Sequence, residues 1–198
     1  MVCLACGSAG RLGLCARCRS TLRAGGEVLA GDATAARAAF LHVAAARVLV
    51  HRLKYQGLAA AAGPLAEAMA GLLDPLPSAL VPVPRVLARR WRYGIDPAPE
   101  LAAAVGALTG VPVVPALRAG WWHHRRAGRS GSSRDVPRFR SAFEAPAGAV
   151  LVDDVVTTGS TLHAAARALG GVAEAVTATM ALSAAGGPAR RGTRPRRR

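Results

Sequence analysis

Residues 148 to 171 read GAVLVDDVVTTGSTLHAAARALGG, and few folds accommodate that order. The unbroken apolar run up to Val152 predicts a strand buried on both faces. It ends at two adjacent aspartates, Asp153 and Asp154. A hydroxyl-rich loop around Gly159 follows, and a Ser or Thr cap with a Gly-Gly stop predicts a helix starting near Ser160. A buried strand running directly into a helix belongs to a sheet covered by helices. The rest of the chain keeps that alternation. A short strand is expected near Phe40 to Val43, then a helix ending before Gly57 with Lys54 in its last turn. Residues 58 to 73 read as helix, with Pro64 starting a turn or a kink. Residues 78 to 85 read as a strand entering a proline loop, and residues 97 to 110 as a helix punctuated by Pro and Gly. Residues 111 to 117 form a short strand, 120 to 140 a polar loop, and 172 to 182 the final strand. Strands alternating with helices imply an α/β fold with a parallel sheet. The expected boundaries are a knuckle at 1–22, a Gly-rich linker near 23–34, a main domain at 35–185 and a tail at 186–198.

In an open parallel sheet, ligands bind beyond the carboxyl ends of the strands. Thr157, Thr158, Gly159, Ser160 and Thr161 stand at that address. Their successive N–H groups and hydroxyls can converge on a phosphate monoester. Carboxylates do not bind phosphate, but Asp153 and Asp154 can accept hydrogen bonds from vicinal hydroxyls or approach a hydrated Mg²⁺. Hydroxyls, a divalent cation and a 5′-phosphate together describe a ribose phosphate.

Cys3, Cys6, Cys15 and Cys18 form a C-x2-C-x8-C-x2-C pattern and are the four cysteines of the chain. Two C-x2-C turns can aim four thiolates at one point and complete a tetrahedral zinc site. A redox pair needs only one C-x2-C and leaves the second without a task. Four Cys ligands leave no open coordination position, so the expected Zn²⁺ is structural. Whether the knuckle also contacts nucleic acid stays open here.

The net charge of +15 is unevenly spread: residues 118 to 140 carry +6, residues 190 to 198 carry +6, and everything else carries +3. Such basic segments attract polyanions, while a charge run at a chain end also reads simply as a solvated, disordered tail. Trp121, Trp122, His123, His124, Arg125 and Arg126 combine aromatic and basic groups that can stack bases and pair phosphates, or pack on the sheet. Lys54 is the single lysine among 26 basic residues; it suits either a pyrophosphate contact or a helix C-terminal cation. His42, His51 and His163 read as ordinary helix or strand-edge residues. No signal-peptide pattern and no run of about 18 uncharged apolar residues occurs, which predicts a cytoplasmic protein without membrane insertion.

The segment from Val150 to Leu162 resembles the phosphoribosyl-diphosphate (PRPP) signature of type I phosphoribosyltransferases. With the four-cysteine knuckle, LKYQG at 53–57 and LVPVPR at 80–85, the chain resembles the ComF family, the competence-associated phosphoribosyltransferase-like proteins. The resemblance spans about residues 1 to 183. It implies a parallel-sheet type I phosphoribosyltransferase fold with a small N-terminal zinc-binding knuckle. It further implies that Asp153 and Asp154 bind the ribose 2′- and 3′-hydroxyls, that Thr157 to Thr161 hold the 5′-phosphate, and that Val83, Pro84 and Arg85 form the pyrophosphate loop, with Lys54 near it. Residues 121 to 140 take the place of a mobile basic segment. The implied activity is transfer or recognition of a phosphoribosyl group with Mg²⁺. The implied partners are PRPP or a nucleotide, single-stranded DNA, or a helicase-like protein of DNA uptake. The chain departs from the family in RYGIDP at 92–97, where Asp96 replaces an expected Asn. It departs again in DVPRFRSAF at 135–143, where Arg138 replaces another Asn and the expected Arg is displaced to Arg134. These departures leave open a non-catalytic, sensing or DNA-handling role.

Overall fold

The computed structural model describes residues 2–9, 13–31, 34–85, 95–120, 138–172 and 174–185. In chain order its strands are β1 (Glu27–Ala30), β2 (Thr34–Leu41), β3 (Leu80–Pro82), β4 (Leu117–Ala119), β5 (Phe139–Ser141), β6 (Val150–Val156) and β7 (Glu174–Met180). The helices are α1 (Ala16–Arg19), α2 (Ala44–Tyr55), α3 (Ala62–Ala70), α4 (Pro97–Thr109), α5 (Ser160–Ala168) and α6 (Leu182–Ala185), with a 3-10 turn at Ala59–Ala61 leading into α3. Five strands form one sheet in the order β1-β2-β7-β6-β3, while β4 and β5 pair separately. All pairings of the main sheet are parallel except β1 with β2. The α/β class and the mostly parallel sheet therefore stand as read from the sequence.

Alternation along each strand divides the core in two. Val150 and Val152 face the layer of α2, α3 and α4, whose Leu49, Leu53, Leu65 and Leu101 are fully buried. Leu151 faces the layer of α5 with Leu162, Ala165 and Ala166. On that side β2 offers Ala36 and Ala38, and β7 offers Ala175. Small residues on both surfaces let the helix approach the sheet closely, so an aromatic-poor composition still fills the interior. Burial on both faces explains why the central strands read as continuous apolar runs.

Three expectations need correction. The Gly-rich linker contains β1, which closes an antiparallel hairpin on β2 with Glu27 opposite Arg37 and Ala30 opposite Thr34. The strand expected at Phe40 to Val43 begins six residues earlier, at Thr34. Of residues 111 to 117, Val113 makes a bridge to Leu80 and Leu117 opens β4; the stretch between is not strand. The final strand expected at 172 to 182 is present as β7; it sits centrally between β2 and β6, and α6 follows it. By contrast, α4 spans Pro97–Thr109 and closes on Gly110 in the left-handed conformation, φ +76°, as its punctuation predicts. Pro64 lies in the first turn of α3, where no hydrogen bond is lost.

The N-terminal knuckle is docked onto this body. Cys3, Leu4, Ala5 and Leu14 belong to the same apolar cluster as α2 and α3. No helix among the described residues is long and apolar enough to cross a membrane.

Candidate functional site

Connections decide where a parallel sheet binds ligands. The next described helix after β3, α4, packs on one face; α5, directly after β6, packs on the other. β3 and β6 are neighbours, so their carboxyl ends splay apart into the crevice of a topological switch point. The residues singled out from sequence gather around it.

Only three residues separate Val156 at the end of β6 from Ser160 at the start of α5. Gly159 makes that turn with φ +74° and itself caps the helix, in place of the expected Ser or Thr cap. A Cβ here would lie 2.6 Å from Ala30 Cα. Both the backbone conformation and the close approach of β1 thus demand glycine. Thr157 and Thr158 are exposed, and Ser160 and Thr161 half-buried. Thr158 Oγ1 and Ser160 Oγ are 3.1 Å apart. The loop presents hydroxyls where the first amides of α5 have no intrahelical acceptor.

Asp153 and Asp154 lie inside β6, not at its end. Their environments differ sharply. Asp154 is buried, and its Oδ2 accepts a 2.6 Å hydrogen bond from Lys54 Nζ. Burial opposes its charge, but Lys54 and, farther off, Arg85 hold its carboxyl below the usual carboxylate range. Asp153 is half-buried, and its Oδ1 accepts the Asp154 backbone N–H at 2.8 Å. Burial and the neighbouring Asp154 charge push the Asp153 carboxyl well up, against a smaller opposing effect of Lys54. The two adjacent carboxyls thus diverge in proton affinity, Asp153 raised and Asp154 lowered.

Lys54 reaches Asp154 because α2 crosses the carboxyl edge of the sheet. A 12-residue helix rises about 18 Å, enough to cross the three strand spacings, roughly 14 Å, from β2 to β3. At its end, Arg85 Nη1 donates to the carbonyls of Lys54, 3.1 Å, and Ile95, 3.3 Å. The Arg85 guanidinium also lies over the Tyr55 ring, 5.7 Å from its centre. This places a cation on the otherwise unsatisfied carbonyl end of a helix. Val83 N–H donates to Val152 O, extending β3 alongside β6, and half-buried Pro84 carries the chain to Arg85.

Two further residues belong to this edge: Asp96, read from sequence only as a departure from the family pattern, and His42, read as an ordinary residue. Asp96 Oδ2 accepts the Arg85 backbone N–H at 3.0 Å and so pins the proline turn. That bond asks only for an acceptor oxygen, which the Asp96 carboxylate supplies. His42, just past β2, has Nδ1 2.9 Å from Thr179 Oγ1. Neither has a local sequence signal, because their partners are set by the fold.

The four cysteines form a second centre. Their sulfurs all lie within 4.8 Å of one another, and Cys6 Sγ and Cys15 Sγ are 3.8 Å apart. Metal–sulfur bonds of about 2.3 Å in a tetrahedron place sulfurs about 3.8 Å apart. Backbone N–H groups turn inward on the cluster: Cys15 N–H donates to Cys3 Sγ at 3.4 Å, and Cys18 N–H to Cys15 Sγ at 3.5 Å. Such donors lower the Cys3 thiol to about 6, the Cys15 amide contributing most. Cys18 is pushed up to about 12 by burial and by the surrounding sulfurs. A thiolate-preferring cation at the centre would remove that opposition, so donor type and spacing fit a tetrahedral metal.

A cleft of ≈ 450 Å³ lies at the opposite edge of the sheet, where Val150 and Glu174 begin their strands. Pro75, Pro77, Pro146 and Gly148 contribute to its lining, which brings together none of the predicted site residues. Trp121 to Arg126, Arg134, Arg92 to Gly94 and the tail from Arg190 lie outside the described residues. Comparison with known proteins gave no matching family model and no matching curated protein.

Proposed function

We propose that this chain recognises a phosphoribosyl ligand, PRPP or a nucleotide, in the crevice between β3 and β6. The carrying observation is a hydroxyl-lined, glycine-turned loop at a helix N-terminus, three residues beyond an acid pair, at a switch point. The loop from Thr157 to Thr161 holds the 5′-phosphate through amides and hydroxyls. Asp153, the less buried acid, meets the ribose hydroxyls. Asp154 and Lys54 fix its position and charge. The turn Val83-Pro84-Arg85 borders the position of a pyrophosphate. The acid pair is a poor direct Mg²⁺ ligand, because Asp154 is already paired with the Lys54 ammonium and Asp153 turns one oxygen to the Asp154 amide. Mg²⁺ therefore comes in on the diphosphate of the ligand, as part of it. In the four-cysteine cluster we place a structural Zn²⁺.

One observation favours recognition over transfer. Transfer breaks the bond from the ribose anomeric carbon to pyrophosphate, which leaves with the electron pair as an acceptor bonds to that carbon. Cations must then meet the leaving group. Among the described residues at the crevice, Lys54 is engaged by Asp154, and Arg85 by two carbonyls. Calorimetry with PRPP and Mg²⁺ tests the site: wild type binds, and Asp153→Asn with Asp154→Asn abolishes binding. No binding by folded wild type overturns the reading. Pyrophosphate release from PRPP with a pool of bases and amines would establish transfer.

A further inference from the structure

Beside the acid pair lies a polar chain that the reading above leaves unused. Thr179 is fully buried in β7, and its hydroxyl touches two groups. Its Oγ1 donates to the backbone carbonyl of Asp154 at 3.2 Å, and it lies 2.9 Å from Nδ1 of His42. A threonine hydroxyl has one proton, and a carbonyl can only accept. With that proton on Asp154 O, the imidazole must be the donor in the second contact. His42 is thereby fixed with its proton on Nδ1, and a neutral ring then carries a bare lone pair on Nε2. Nδ1 faces buried Thr179, and the half-buried ring stands just past the carboxyl end of β2.

The surroundings keep the ring neutral. Burial lowers its proton affinity, Lys54 and Arg47 lower it further, and Asp154 alone opposes them. The backbone is held as well: His42 N–H donates to Met180 O at 2.7 Å, and Ala44 takes φ +44°, a left-handed conformation rare for alanine. Strain of that kind persists where surrounding structure fixes a segment.

We propose that His42 is a binding residue of the ribose-phosphate site, held as the Nδ1–H tautomer by Thr179 so that Nε2 accepts a hydrogen bond from a ligand hydroxyl. The ligand half of this proposal rests on the phosphoribosyl reading. It adds a neutral acceptor to the same carboxyl edge as the two acids, suited to a sugar bearing several hydroxyls. An acceptor here would reject a group that offers only lone pairs, such as a phosphate oxygen.

Two variants separate the ring nitrogens. His42→Asn puts an amide where Nδ1 stands, keeping the Thr179 contact and removing Nε2. His42→Gln places its amide oxygen near Nε2. Proton–nitrogen correlation spectra of the full-length protein should show His42 as the Nδ1–H form, with Thr179→Val abolishing that preference; an Nε2–H ring in wild type overturns the proposal. In calorimetry with PRPP and Mg²⁺, His42→Asn should weaken binding about tenfold, the value of one hydrogen bond to a ligand, and His42→Gln by much less. Equal affinity of both variants and wild type would overturn the role of His42 and leave the phosphoribosyl site standing. No binding by wild type would instead bring down the site reading, and the ligand half of this proposal with it.

Discussion

Asp153 and Asp154 are neighbours in sequence but opposites in energetics. Asp154 is a structural ion: Lys54 meets it at 2.6 Å in a buried setting, so losing one partner strands the other. Asp154→Asn should cost about 3 kcal/mol in denaturant unfolding, because it leaves a largely buried ammonium without its counter-charge. Asp153 is the opposite case. Both acids titrate near 3.8 when unfolded, but the folded protein raises Asp153 and lowers Asp154. The stability from Asp154 is therefore present above 3.8 and lost as pH falls through its lowered value. Asp153 works in the other direction: stability is undiminished below 3.8 and falls as pH rises through its raised range. Asp153→Asn should match wild type near pH 4 and exceed it by about 1 kcal/mol at neutral pH, while losing PRPP affinity. Unfolding curves at several pH values check this. A uniform offset at every pH would show that Asp153 carries no buried-charge burden. A residue whose removal stabilises the fold and weakens binding is held there by the ligand.

The β6–loop–α5 unit is where sequence reasoning reached furthest, and its errors there have physical causes. The apolar run announced β6, but the strand continues through both acids to Val156, because backbone pairing with β7 does not depend on side-chain polarity. A Ser or Thr cap was the natural expectation for α5; the close approach of Ala30 instead requires glycine, and that contact comes from a strand 129 residues earlier. β1 itself was hidden in a Gly-rich stretch, since four residues paired on one side show no clear alternation. α4 and most of α2 were legible because their punctuation and periodicity are local. Lys54 stood out as the single lysine, yet its partner lies 100 residues away. The contacts of His42 and Asp96 could not be read for the same reason. Gly159→Ala tests the loop directly. It combines a left-handed φ with a Cβ 2.6 Å from backbone, so it should destabilise by at least about 2 kcal/mol. It should also reduce PRPP binding more than Thr158→Ala, which removes one exposed hydroxyl and leaves the turn intact. If the alanine variant keeps wild-type stability and affinity, the turn is not the anion cradle.

The knuckle and the α/β body share one apolar cluster, and this makes the cysteine centre a matter for the entire fold. Leu4 and Leu14 are both 8% exposed, packed in the cluster that holds Leu49 and Leu65. A segment this short cannot hold its shape through apolar burial alone, so the proposed zinc would be what presents these leucines to the core. Four thiols this close resist joint ionisation, as the Cys18 thiol at about 12 makes plain, and without a cation they favour a looser arrangement. The purified protein should contain one equivalent of zinc. Removing it with a chelator, or weakening the site with Cys18→Ser, should undock both leucines. Two leucine side chains returned to water amount to about 4 kcal/mol, or a fall of roughly 10 °C in the thermal midpoint of the whole chain. Zinc should also be lost progressively on acidification, as protons compete for the thiolates. Calorimetric unfolding with and without chelator decides the matter. A single transition that shifts downward means that the knuckle and body unfold together. An unchanged midpoint, or no zinc at all, would mean that the body holds its structure without the metal, and that the leucine contacts do not couple the two.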